Sequence, residues 1–253
     1  MVAMPVIGAW MGLALVAGVI RGYCGFGFAM LLALGLMLFL PPVEAVPLAL
    51  LLDLVTSVGL WRRALRLADW TRLRGLLIGM LLSTLIGIWL LASIPASPMR
   101  IVVALLALAG ALSLLQQPAG GESRAPLPTR PVTNVAAGSV SGLCMTLASS
   151  GGPPLMLYLL QQRLAPLTLR ATAIVFFAAS SATSLSGLAL ADALGSETLV
   201  RGLWLLAPAL LGNALGQWAF ERSKPRSLKS TVAPLLIVLS LWVLAREVQV
   251  VAS

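Results

Sequence analysis

Few residues in this chain could do chemistry, and two of them are ionisable groups in apolar surroundings. Arg21 sits in V-I-R-G-Y-C-G-F-G-F, and Asp53 sits in L-L-L-D-L-V-T-S, in the middle of a predicted helix. A charge at such a depth is costly unless it is paired or meets a ligand, which makes each a functional candidate by default. Arg21 could pair with a bound anion; the blander readings are a snorkelling side chain or a structural ion pair. Asp53 could hold Arg21 in that pair, the slightly better reading, or take up a proton.

The other candidates are backbone. Two stretches stop and restart helices inside apolar sequence: G-Y-C-G-F-G-F at 22–28 and G-L-C-M-T-L-A-S-S-G-G-P-P at 142–154. Glycine weakens a helix and proline is tolerated only in its first turn. Broken backbone survives in a bilayer only where protein or a water-lined cavity satisfies its polar groups, and two such breaks in corresponding places point to a binding site. Helices restarting at Phe28 and Pro153 would aim their N-termini, with unpaired N–H groups and partial positive charge, at one spot. Gly25, Gly27, Gly151 and Gly152 would let an anion approach the backbone. Ser149 and Ser150 stand where an N-cap is expected, and Pro153 fits the first helical position. Close helix packing is the competing explanation for the glycines. Adjacent Ser-Ser and Pro-Pro favour binding, with the second break as the better cradle.

What is missing narrows the chemistry further. The chain has no histidine and two cysteines, Cys24 and Cys144, without C-x-x-C spacing, so no metal, haem or cluster site and no cofactor is expected. No Walker lysine or nucleotide loop occurs, and a serine enzyme at Ser149 or Ser150 would lack a base.

These residues need elements to position them. Of the 253 residues, 59% are hydrophobic and 10% charged, and mean hydropathy is +1.00. A soluble domain carries about 25% charged residues, so the fold class is an all-α polytopic integral membrane protein. The net charge of +9 comes from arginines clustered in short loops, a topology signal rather than a nucleic-acid surface. The N-terminus lacks a basic n-region and reads as part of the mature chain.

Taken in order, Pro5–Ile20 and Phe28–Leu40 form a pair of short helices around the break at 21–27. Full spans follow at Ala45–Trp61, Gly75–Ala92 and Met99–Leu115. Pro118–Pro131 reads as a linker. Then come Val132–Leu147, the second break, Leu155–Leu160, Thr168–Leu190, Leu199–Phe220 and Ser230–Val248. The polar run Ser180, Ser181, Thr183, Ser184 and Ser186, with Asn213 and Gln217, could line a cavity wall.

The halves repeat. Gly18, Gly22 and Cys24 match Gly138, Gly142 and Cys144 at a spacing of 120, and Arg74-Gly75-Leu76 matches Arg201-Gly202-Leu203 at 127. Placing the loop with Arg62, Arg63, Arg66, Arg72 and Arg74 in the cytoplasm puts Arg163, Arg170 and Arg222 inside too, whereas Pro41–Glu44 falls outside. The expected architecture is two inverted repeats, residues 1–116 and 132–253, joined by a cytoplasmic linker at 117–131. Each has three full spans plus a broken or re-entrant pair, about eight membrane helices in all.

The S-G-L-C-M-T-L-A-S-S-G-G-P-P-L stretch, with G-G-P-x-L-x-L at 151–157 and G-x-G at 25–27, resembles the TauE/SafE sulfite exporter family over nearly the whole chain. The first break departs from the fuller glycine-glycine-proline pattern, since Phe28 and Ala29 follow Gly27. The resemblance implies transport of sulfite, sulfonate, sulfoacetate or thiosulfate-type anions across the bacterial inner membrane. The residues themselves point to a small anion at a central site. The expected function is therefore a secondary transporter working by alternating access, with an anion channel or, more distantly, a membrane-embedded enzyme as alternatives. Its partners would be a small anion and the lipid bilayer, with proton coupling through Asp53 and a homodimer left open.

Overall fold

The computed structural model describes residues 4–95, 98, 101–106, 108, 109, 112, 128, 130–190 and 195–222, with single positions 237, 238, 241 and 245. Its described residues are helical, with turns and no strand. The named helices are α1 (Met4–Cys24), α2 (Phe28–Leu36), α3 (Pro42–Leu67), α4 (Trp70–Ser93), α5 (Pro131–Ala148), α6 (Gly152–Gln161), α7 (Pro166–Leu190) and α8 (Ser196–Arg222). Residues 101–106 are also helical. Most of the expected spans Met99–Leu115 and Ser230–Val248, and of the linker, lies outside the described residues.

Among the described residues, four stretches are long and apolar enough to cross a membrane: Pro42–Leu67, Trp70–Leu91, Leu167–Leu190 and Glu197–Arg222. Ile7–Tyr23 is a shorter apolar helix. Leu85 and Trp89 on α4 are 72% and 66% exposed, an arrangement that suits lipid and not water. By contrast α2 is buried at every residue. With nine residues it reaches about 13 Å and cannot cross a hydrocarbon core of about 30 Å.

Several helices are longer than the apolar runs suggested. α3 begins at Pro42 and continues through Arg62, Arg63 and Arg66 to Leu67, so the expected basic loop is mostly the end of a helix. The turn that remains is two residues, Ala68 and Asp69. Asp69 caps α4 by accepting from the N–H groups of Thr71 and Arg72, at 3.1 and 3.2 Å, and it pairs with the Arg72 guanidinium. Its own N–H donates to Thr172 Oγ1 on α7 at 2.9 Å. Losing such a cap costs about 1 kcal/mol. Asp69→Ala is expected to lower the melting temperature in detergent by about 2–4 °C.

The tightest packing joins α1 to α8 and α4 to α5, with α3 against α7 between them. Glycines make the first two crossings possible. A Cβ built on Gly18 would strike the Ala209 carbonyl on α8, and one on Gly138 would strike the Leu76 carbonyl on α4. From the other side, a Cβ on Gly212 would strike the Leu15 carbonyl, and one on Gly79 the Val135 carbonyl. Backbones this close exclude any side chain, as in small-residue helix packing elsewhere in membranes. Leu15 and Gly18 lie 120 residues before Val135 and Gly138, while Leu76 and Gly79 lie 133 before Ala209 and Gly212.

Candidate functional site

The first break is a three-residue turn, Gly25–Gly27, between α1 and α2. Gly25 and Gly27 have φ of +83° and +93°, left-handed conformations that favour glycine. Gly25 N–H closes on the Arg21 carbonyl at 2.6 Å. Arg21 consequently belongs to the last turn of α1, not to the break itself.

The second break is built differently from the expectation. Ser149 is the C-cap of α5 in the left-handed region, and Gly151, without any side-chain hydrogen bond, is the N-cap of α6. Ser149 N–H returns to Met145 O at 2.8 Å and Ser150 N–H to Cys144 O at 3.0 Å. The serines therefore end α5 by satisfying its last carbonyls and do not cap α6. Ser150 Oγ donates to Met30 Sδ on α2, at 2.8 Å, joining one break to the helix that restarts after the other.

Arg21 and Asp53 are each 1% exposed and form an ion pair. Arg21 Nη1 donates to Asp53 Oδ1 and Nη2 to Ser57 Oγ. Ser181 Oγ on α7 donates to Asp53 Oδ2 at 2.9 Å, so both carboxylate oxygens are bonded. Buried charges require this kind of saturation. Arg21 Nε and Ser149 Oγ are buried without a hydrogen-bond partner among the described residues.

A cavity of about 10 Å³ joins these groups, room for the centre of about one water molecule. Arg21, Gly27, Asp53, Ser149 and Gly152 line it, together with Ala29, Met30, Met145 and Phe177. Residues from both breaks thus meet one small space. Four other expected residues stand elsewhere. Gly25 packs on the Arg170 side chain and Gly151 on Ser141 O and Met145; Ser150 bonds Met30, and Pro153 is buried in the first turn of α6.

The two helix starts differ as donors. Phe28, Ala29 and Met30 open α2 with three N–H groups that have no carbonyl within the helix to reach. Pro153 and Pro154 have no N–H, which leaves Gly152 as the donor in the opening residues of α6. By this count α2 opens with three N–H groups lacking an intrahelical partner and α6 with one, although Ser-Ser-Gly-Gly-Pro-Pro points to the second break as the better cradle.

Of the polar run, only Ser181 reaches the Arg21–Asp53 pair. Thr183 bonds its own backbone, Ser184 shares a hydrogen bond with Thr146 at 2.9 Å and Ser186 is exposed. Asn213 Nδ2 donates to Thr56 O at 3.1 Å, and Gln217 donates to Glu221. Cys144 is half-buried and free of a disulfide; the side chain of Cys24 lies outside the described residues. Among the described residues no cluster could hold a metal ion. Phe177, Met30 and Met145 carry no signal in sequence that separates them from ordinary packing residues.

Helices able to cross a bilayer several times, with two buried helix breaks meeting beside an intramembrane ion pair, define a multi-pass membrane protein of transporter type. The family model for sulfite exporter TauE/SafE matches residues 10–243, and the chain belongs to that family. No curated protein and no solved structure matches it.

Proposed function

We propose that the protein is a secondary transporter of a small sulfur-containing or organic oxyanion of sulfite, sulfonate, sulfoacetate or thiosulfate type, in the bacterial inner membrane. The anion binds between the two breaks once they part enough to widen the water-sized cavity, held by Arg21, the N-terminus of α2, Gly27, Ser149 and Gly152. The observation that carries this reading is the cavity lined from both breaks, two of whose lining residues, Arg21 and Ser149, each have a buried side-chain atom, Nε and Oγ, without a partner among the described residues. Buried polar atoms are nearly always satisfied, so such atoms in a cavity favour a polar occupant.

The glycine contacts support two halves, 1–116 and 132–253, duplicated and inverted. Gly18 meets Ala209 as Gly138 meets Leu76, and Gly212 meets Leu15 as Gly79 meets Val135. Each half lends its first helix to the other half, the pairing a two-fold relation would produce. The equivalent spacing for the later helices is then 133, six residues beyond the one taken from Arg74-Gly75-Leu76. Rocking of such halves around a fixed site gives alternating access.

Charge balance links Asp53 to the cycle. An anion that engages Arg21 competes with Asp53 for the guanidinium and puts two negative charges side by side in an apolar setting. A proton taken up by Asp53 removes that conflict, so the anion and a proton travel together.

The test is flux of radiolabelled sulfite and sulfoacetate in proteoliposomes with and without a proton gradient. Saturable uptake, accelerated by the gradient in the wild type and insensitive to it in Asp53→Asn, is expected. Flux of neither anion, or the same gradient response in both proteins, would contradict the proposal.

A further inference from the structure

A second cavity, of about 510 Å³, lies between the C-terminal part of α3, the start of α7 and the end of α8. That volume is typical of small-ligand sites, and among the described residues its walls carry Arg63, Arg170 and Arg222 against one acid, Glu221. Glu221 already accepts from Gln217 Nε2 at 3.3 Å. Arg170 lies 4.0 Å over the Phe220 ring and Arg222 4.2 Å over Trp218. Stacked on Trp218, the Arg222 guanidinium presents its N–H edges in the plane of the fork, the direction from which an oxyanion binds.

Arg170 connects this cavity with the central one. Its Nη2 donates to the Gly22 carbonyl at 2.7 Å, and its Cγ lies 2.9 Å from where a Cβ on Gly25 would be. Gly22 and Gly25 belong to the same short stretch as Arg21 and Gly27, which line the central cavity. The break thus meets the Arg170 side chain at Gly22 and Gly25 and the central cavity at Gly27.

We propose that the larger cavity is the entry vestibule for the oxyanion from the arginine-rich end of the bundle, and that Arg170 is its inner gate. The inference rests on the transport reading above. Arg63 and Arg222 concentrate the anion by their field. An anion reaching Arg170 competes with the Gly22 carbonyl for Nη2; both bonds have an ionised donor, and the anion adds a full opposite charge that the carbonyl lacks. Release of that carbonyl frees the end of α1 and the Gly25 turn to move.

The experiment measures sulfite flux separately from each face of oriented proteoliposomes, in zwitterionic lipid and again with anionic lipid added. For the doubly substituted Arg63→Gln/Arg222→Gln protein, KM at the arginine-rich face is expected to rise about 5- to 10-fold. Its kcat and its KM at the opposite face should stay within about twofold, and KM should depend less on salt than in the wild type. Arg170→Lys keeps the charge but loses the planar fork, and is expected to lower kcat at least about 10-fold in both directions with KM little changed. Unaltered KM at the arginine-rich face in the double variant would overturn the vestibule. So would a KM change seen only with anionic lipid, which would assign the arginines to headgroups. Wild-type kinetics in Arg170→Lys would overturn the gate. Absence of sulfite flux in the wild type is a different result, since it removes the transport reading itself.

Discussion

Arg21→Ala is expected to lower anion flux about 100-fold and to destabilise the protein at the same time. The first effect follows from losing the only buried cation that lines the central cavity among the described residues; charge-assisted hydrogen bonds contribute about 1.5–3 kcal/mol each, and about 1.4 kcal/mol is tenfold. The second follows from Asp53, which keeps Ser181 but loses its counter-charge in a buried site. Breaking a buried pair on one side costs about 3–5 kcal/mol. The two effects separate in the double variant Arg21→Met/Asp53→Leu. An apolar pair of similar volume removes the uncompensated charge, so thermal stability in detergent should return to near the wild-type value while flux stays low. Recovery of flux together with stability would mean that Arg21 serves the fold alone.

The other large effect concerns the glycine crossings. Gly79→Val and Gly212→Val should each prevent accumulation of folded protein, read as loss of the monodisperse peak on size exclusion after extraction. In both, the added Cβ meets a backbone carbonyl, Val135 or Leu15. Relief requires two helices to move apart along their whole contact. Overpacking that side chains can absorb costs about 1–3 kcal/mol, and a backbone clash leaves less room to adapt. Gly59→Val provides the contrast, because nothing lies within 4 Å of a Cβ there. A folded Gly212→Val protein beside an unfolded Gly79→Val protein would contradict the equivalence of the two crossings.

Much of the fold was legible because a bilayer punishes what a soluble core tolerates. Arg21 and Asp53 could be singled out, and their pairing suggested, because no other ionisable residue lies so deep in apolar sequence. The breaks were legible because glycine and proline have backbone limits that no context removes. Boundaries were less so: α3 continues into Arg62–Arg66 because an exposed helix end tolerates arginines as readily as a loop does. The role of Ser149 was hidden for a related reason. A serine in the left-handed conformation is held there by the surrounding packing, and nothing in the types Ser-Ser distinguishes the end of one helix from the start of the next.

The contributions of Phe177, Met30, Met145 and Ser181 depend on which helix face turns inward. In a chain this rich in Leu and Ala both faces read alike. The spacing of 133 was obscured for the same reason, since Arg-Gly-Leu is a better letter match than the glycines that share the crossing contacts. In sequence Arg170 reads as a topology signal near the start of the span Thr168–Leu190, and it reaches the first break 148 residues earlier. Long side chains that cross between elements leave no local trace.

The most direct measurement uses selenite, a heavier analogue of sulfite whose selenium scatters anomalously. A crystal of the protein grown with selenite should have one strong anomalous peak in the cavity bounded by Arg21, Gly27, Ser149 and Gly152, and the peak should be absent in Arg21→Met/Asp53→Leu. A protein that transports selenite yet binds it elsewhere, with the central cavity empty, would contradict the account.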